Sequence, residues 1–381
     1  MMSTDKIFHN SKLPHPLARR FTRRKFLTAA AAVAGVATVT SFGPAKAQSS
    51  KTVTILTWET YHDDPWIAEY SESSGVPVKV VRAGSVDEMY SMTRSGAISP
   101  DVVYVDTSST ARYLAADLLV PFEVDRVPNA SNIDAGMDWK TFNTLNGTVW
   151  GIPYAWGSLP LMHDADVIPD EQDSWQALWN TEFKGKVSTF DDSFLNIPMV
   201  ALAIGADNPY NTTAAEDEKI RDALRELRPQ IRTIARGFDD MAALFQSGDA
   251  AIAYCQNIAI VAGLQDNGKN IKVVYPKEGT PAWVDNAVVT KSGEGRSEVY
   301  DFINAGMTNK WQARFAEVSG NSCVISPKVA LQNGLTQARY DSGEVQYMSD
   351  PTFWNKMTML QEQGDLDNRL ELWNEFKAGL L

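Results

Sequence analysis

An aromatic ring and a carboxylate stand two residues apart at Trp283 and Asp285, after an apolar run (271–275) that turns through Pro276 and Gly279. On an extended segment that spacing directs both side chains to one face. A Trp face beside a carboxylate suits an organic cation, which gains cation–π attraction and a charge-assisted hydrogen bond together. A core Trp beside a turn Asp fits the same residues, so the rest of the chain must decide. Aromatics and acids recur at the ends of expected strands: Trp58 with Tyr61, then Asp106, Asp192 and Tyr254.

Catalytic constellations are thin by comparison. The chain has four histidines, and only His62 and His163 lie beyond the N-terminal segment described below, so His triads and His-rich metal sites have little material. No Gly-x-Ser-x-Gly elbow, phosphate loop, His-Glu-x-x-His or dinucleotide fingerprint is present. Asp191-Asp192 and Asp239-Asp240 are material for glycosidase chemistry, but adjacent residues on a strand or turn diverge. The spacing of Cys255 and Cys323 fits no metal motif. Neither catalysis, a cofactor nor a bound metal is expected.

The elements that must carry these residues alternate. Strands are expected at 52–57, 76–82, 101–105, 187–190, 250–254, 271–275 and 287–290. Helices are expected around 66–74, from a Ser85/Glu88 capping box to 96, and at 108–119, 173–180, 214–227, 238–248, 298–309 and 351–381. Such alternation indicates an α/β fold with a mainly parallel sheet, in which ligands collect beyond the carboxyl ends of the strands. Trp58, Tyr61, Asp106 and Ser108 then share one rim. The run 151–160, with two prolines and two glycines in an aromatic strand, reads as a crossing between lobes.

The N-terminus stands apart. Thr22-Arg23-Arg24-Lys25-Phe26-Leu27, an Ala/Val-rich run (28–40) and Ala45-Lys46-Ala47 read as a cleaved export signal of the twin-arginine type, residues 1–47. That segment holds eight Lys/Arg and one Asp, so its removal takes the formal charge from −12 to −19. A chain this acidic disfavours nucleic acid and anionic membranes and is compatible with a cationic ligand. Export leads to an oxidising compartment, where a disulfide between Cys255 and Cys323 and two free thiols are both open.

From about Thr52 to its end the chain resembles the spermidine/putrescine-binding proteins of bacterial ABC importers, within the periplasmic solute-binding proteins. The likeness is carried by Trp58-Glu59-Thr60-Tyr61, Ile152-Pro153-Tyr154-Ala155-Trp156-Gly157, Ser174-Trp175-Gln176-Ala177-Leu178-Trp179 with Phe183-Lys184-Gly185, and Val274-Tyr275-Pro276-Lys277-Glu278-Gly279 running on to Trp283-Val284-Asp285. The resemblance implies a type II, two-lobe α/β fold with discontinuous lobes joined by hinge crossings: 48–154 with 284–325, and 155–283 with 326–381. The chain would cross near Ala155, between Trp283 and Asp285, and near Ser326.

It also implies a small cationic amine in the cleft, an inner-membrane ABC permease as partner, and a periplasmic monomer. Trp58, Tyr61, Trp283 and Asp285 match ligand-contacting positions of the family, Asp192 a carboxylate contact and Gln346 a polar one, while Tyr254 stands where a Trp is usual. Asp106 and Ser108 fall where a hydroxyl and an aromatic are expected, Asn321 near another Tyr position, and Leu195 where spermidine binders carry a second acid. Each buried ammonium needs a carboxylate, so these departures suggest fewer or differently spaced positive centres than spermidine: putrescine, another short amine, or a quaternary or zwitterionic compound such as γ-aminobutyrate. Cys255 and Cys323 flank expected cleft positions, where a disulfide would tie two rim loops. The rivals are the same fold with another cargo, and a secreted hydrolase using cleft carboxylates.

Overall fold

Strand β1 (Val53–Trp58) grows from an apolar, β-branched run and pairs in parallel with β2 (Val78–Ala83) and β3 (Val102–Asp106). The computed structural model describes residues 51–84 and 86–381; the expected export signal, and Ser85 of the expected capping box, lie outside them. Apart from the short hairpin Thr144–Leu145 with Thr148–Val149, the other strands are β4 (Gly151–Ser158), β5 (Leu161–Asp164), β6 (Val187–Phe190), β7 (Ile231–Ala235), β8 (Ile252–Tyr254), β9 (Ile271–Val274), β10 (Thr280–Val289), β11 (Ser322–Cys323) and β12 (Met357–Met359). Among the described residues these form a seven-stranded sheet in the order β11-β4-β10-β3-β1-β2, with β12 also paired to β10, and a five-stranded sheet in the order β9-β5-β8-β6-β7.

Both sheets are mixed rather than mainly parallel. β10 runs antiparallel to β3 and β4, and β5 antiparallel to β8 and β9. These reversals come from the strands that carry the chain from one sheet to the other, which enter from the opposite end. Each sheet has its own apolar core: Ile55, Tyr104, Trp156 and Phe302 belong to one, and Phe190, Leu224, Phe245 and Trp373 to the other.

The connections between sheets lie later than the sequence suggests. β4 runs on to Ser158 and passes to β5 through Leu159 and Pro160; β9 passes to β10 through 275–279. The whole of β10, Trp283 and Asp285 included, belongs to the first sheet. Residues 326–353, expected in the second lobe, bury Ala330, Leu335, Val345, Met348 and Phe353 in the first core. Only the helix Leu366–Ala378 returns to the second, through Leu372, Trp373 and Phe376, so the third connection is 360–365 rather than Ser326.

Local expectations shift for local reasons. The helix expected at 108–119 is a 3₁₀ turn, Thr107–Ser109, and a short helix, Thr110–Ala115, after which Asp117 takes a left-handed φ of 56°. The expected helix at 173–180 is a 3₁₀ turn, Trp175–Trp179. The tail is broken by β12 and by Asp365 at φ 49°. Cys255 and Cys323 are free, against the disulfide expectation, because each packs into a different core. The Cys255 thiol donates to the Asn257 carbonyl at 3.1 Å, and burial pushes the Cys323 thiol up to about 12, so it stays protonated.

The turn after β1 is held by His62, at φ 56° and 3 % exposed. Its ring stacks on Tyr154 (4.8 Å, 14°) and tilts against Tyr104 at 4.3 Å. Nδ1 meets the Thr57 hydroxyl at 3.1 Å, and Arg82 donates to the His62 carbonyl at 2.9 Å. Burial first, and then the Arg82 charge, lower the ring from its ordinary 6.5 to about 3. The unfolded chain therefore takes up a proton that the folded chain refuses. This contribution to stability is intact above about pH 6.5 and is lost as pH falls toward about 3, at roughly 1.4 kcal/mol per pH unit. Chemical denaturation between those pH values should show the slope, and His62→Asn, which tolerates left-handed backbone, should reduce it by one proton's worth.

Candidate ligand-binding site

β10, β3 and β1 are neighbours, and that order collects six of the predicted residues on one wall. Asp285 lies opposite Asp106 in register, and β10 has an irregularity between Asp285 and Asn286 that locally re-aims the strand. The Tyr61 hydroxyl donates to Asp285 Oδ2 at 2.6 Å, a bond joining residues 224 apart in sequence. The buried Trp58 indole N–H lies close enough to favour the ionised carboxylate, yet falls short of hydrogen-bond geometry. Burial pushes the Asp285 carboxyl well above the usual carboxylate range, and Asp106 adds to the rise against the relief from Tyr61 and Trp58. Among the described residues, no cationic side chain pairs with Asp285.

Asp106 is occupied differently. Its Oδ1 accepts from the Ser108 and Ser109 backbone N–H groups, at 2.9 and 3.2 Å, and from the Ser108 hydroxyl; Oδ2 accepts the Ser109 hydroxyl at 2.6 Å. Asp106 and Ser108 thus form a cap at the end of β3. Trp283 is half-buried and lies over the crossing strand opposite Gly157, where a Cβ would stand 2.6 Å from the indole Cζ2. Gly157 is the clearance that lets the ring lie flat.

The second sheet contributes Asp192 and Tyr254. Asp192 caps the helix Ser193–Ala203, accepting the Leu195 N–H on Oδ1 at 3.3 Å and Gln256 Nε2 on Oδ2 at 2.9 Å. Burial raises its carboxyl, against relief from the backbone N–H groups of Leu195 and Phe194. Tyr254 is a core residue, its ring 5.2 Å from that of Phe190. Gln346 folds onto its own loop, donating to the Gly343 carbonyl at 3.0 Å and to the Asp341 carbonyl at 3.4 Å.

Sequence reasoning missed Gln256, Asn257 and Glu344. Gln256 and Asn257 follow β8 after Cys255, and Asn257 Nδ2 donates to Asn321 Oδ1 at 3.4 Å, joining the two halves. Glu344 stands in the same short run as Gln346. The arrangement offers a buried carboxylate held by a phenol, with the Trp58 indole beside it, on one side, and the Asp192 carboxylate engaged with Gln256 on the other. A carboxylate beside aromatic rings is chemically able to pair an organic cation. A methyl group at 157 must displace Trp283, so Gly157→Ala should weaken binding of an organic ammonium such as putrescine up to about tenfold, read by calorimetry.

The sequence pattern of the bacterial extracellular solute-binding proteins matches residues 65–366. Spermidine/putrescine-binding periplasmic protein 1 of Haemophilus influenzae is 24% identical over 307 residues, covering 79% of this chain and 84% of its own length. Among solved structures, the substrate-binding protein of a spermidine/putrescine ABC transporter from Streptococcus pneumoniae superposes with a TM-score of 0.74 at 22% identity, covering 87% of this chain and 99% of its own. A structure described as the Atu4243-GABA receptor superposes with a TM-score of 0.63 at 17% identity, covering 87% and 100%. These neighbours share the two-lobe α/β fold with hinge crossings seen here, and the chain belongs to the bacterial extracellular solute-binding protein family.

Proposed function

We propose that this protein is the exported receptor of an ABC importer and captures a small amine between its lobes, which close about the connections at 159–160, 275–279 and 360–365. The carrying observation is Asp285, a buried carboxylate bonded to Tyr61 and, among the described residues, without a cationic partner. In this reading Asp285 takes one ammonium while Trp58, Tyr61 and Trp283 enclose the adjoining methylenes. The names of the polyamine-binding relatives support the ligand class. The residues 1–47 would direct export to the periplasm by the twin-arginine route, and the permease would receive the closed, loaded form.

The far end favours a short ligand. Asp192 is its one predicted carboxylate and already accepts from Gln256; Leu195 beside it is apolar, and Asn257 and Asn321 are neutral. A second ammonium at Asp192 suits putrescine. The amide groups favour a second reading, a zwitterion such as γ-aminobutyrate, whose carboxylate would meet Gln256 and Asn257. Hydrolysis is disfavoured: Asp106 and Asp285 stand opposite one another, but the oxygens of Asp106 are taken up by its cap and Asp285 faces aromatics.

Calorimetric titration with putrescine, spermidine and γ-aminobutyrate should rank putrescine first; tightest binding of spermidine would overturn the short-ligand reading. Asp285→Asn should cost at least about thirtyfold in affinity. An ammonium binds the ionised Asp285, whose carboxyl is raised in the free protein, so capture should release a proton and weaken as pH falls. Titrations in buffers of different ionisation enthalpy measure that release.

A further inference from the structure

Glu344 is 1 % exposed and belongs to neither wall of the candidate site. Its Oε2 accepts the Ser158 backbone N–H at 2.9 Å, while Oε1 accepts the Ser158 hydroxyl and, at 3.2 Å, the Tyr275 hydroxyl. Ser158 is the last residue of β4, where the first connection begins; Tyr275 follows β9, where the second begins. One carboxylate therefore holds both connections, from a segment that itself leads into β12 and the third.

The surroundings reinforce that bracket. Tyr347 and Phe353 meet the Tyr275 ring edge-on at 5.7 and 4.9 Å, and Phe353 and Trp354 meet Trp156 of β4 at 5.8 and 4.7 Å. The main chain ties the connections side by side: Leu159 N–H donates to the Pro281 carbonyl, Thr280 N–H to the Lys356 carbonyl and Leu360 N–H to the Ala282 carbonyl, each at 2.8 Å. An isolated buried carboxylate is costly, and burial does raise this carboxyl, against relief from the two Ser158 donors and Tyr275. Packing alone would be served by an apolar side chain at 344. Three donors from two separate connections are what a carboxylate, acceptor on both oxygens, can satisfy at once.

We propose that Glu344 is a positioning residue for ligand capture: by clamping Ser158 and Tyr275 it fixes the relative setting of the two connections, and so sets the fraction of free protein in the geometry that can close. The inference rests on the solute-receptor reading. Apparent affinity scales with that competent fraction, so the clamp acts on association without touching the ligand. Gln at 344 would place an amide N–H₂ against one of the donors, and Tyr275→Phe removes one bond while keeping the ring packing.

The test uses the mature chain spin-labelled at Ser73→Cys and Glu218→Cys, both exposed, one on each half. Distance distributions are measured without ligand, and putrescine association and dissociation by stopped flow. Glu344→Gln and Tyr275→Phe should broaden the distribution and slow association, by up to about tenfold for a bond to a buried charge, with dissociation within about twofold. Distributions matching the parent in both variants would overturn the proposal, as would a change confined to dissociation. The distances need no ligand, so a parent protein that ignores putrescine would refute the amine reading while the distributions still decide the clamp.

Discussion

A buried carboxylate held by a phenol, with an indole beside it, is the constraint around which one half of this structure is arranged. Asp285 carries a desolvation penalty that Tyr61 relieves only in part. Keeping it there requires β10 to lie between β3 and β4, the turn after β1 to present Tyr61, and Gly157 to admit the Trp283 ring. The left-handed His62, locked among Tyr104, Tyr154 and Phe302, stiffens that turn from below. A residue without an ionisable group at 285 would avoid this cost of burial altogether.

The two halves manage their acids differently. On the first sheet Asp106 spends its oxygens on a cap, leaving Asp285 as the acid whose described hydrogen bonding is limited to one phenol. On the second sheet Asp192 is both a helix cap and an acceptor for Gln256, so a ligand arriving there competes with an existing bond. The asymmetry gives the candidate site a strongly acidic end and a weakly acidic, amide-rich one. Between them the chain passes three times through a narrow band where Glu344, Tyr275, Phe353 and Trp156 meet. The proposed closure would turn about that band, with the lobes free beyond it.

Much of the fold was legible because its cause is local. The β-branched runs at 52–57 and 187–190 and the charged amphipathic helix at 214–227 announce themselves by period and composition, and each appears within a residue or so. The misplacements share a different cause. Residues 326–353 were assigned to the wrong half because their apolar side chains fit either core, and nothing within the segment says which sheet it covers. The strand expected at 287–290 begins earlier, at Thr280, because pairing with β4 and β12 extends it over residues that carry no β-branched run of their own.

The aromatic and acidic residue types, their spacing and their motifs were sufficient by themselves to indicate the family and to nominate Trp58, Tyr61, Trp283 and Asp285, because side-chain chemistry and period-two alternation are properties of the chain. Tertiary structure alone decided which nominees are engaged elsewhere: Asp106 in its cap, Gln346 on its own loop, Tyr254 in the core and the two cysteines in separate cores. It alone also brought Glu344 to Ser158 and Tyr275, 186 and 69 residues away. Hydrogen bonds between such distant residues leave no periodic trace, since their geometry is set only once both sheets have packed.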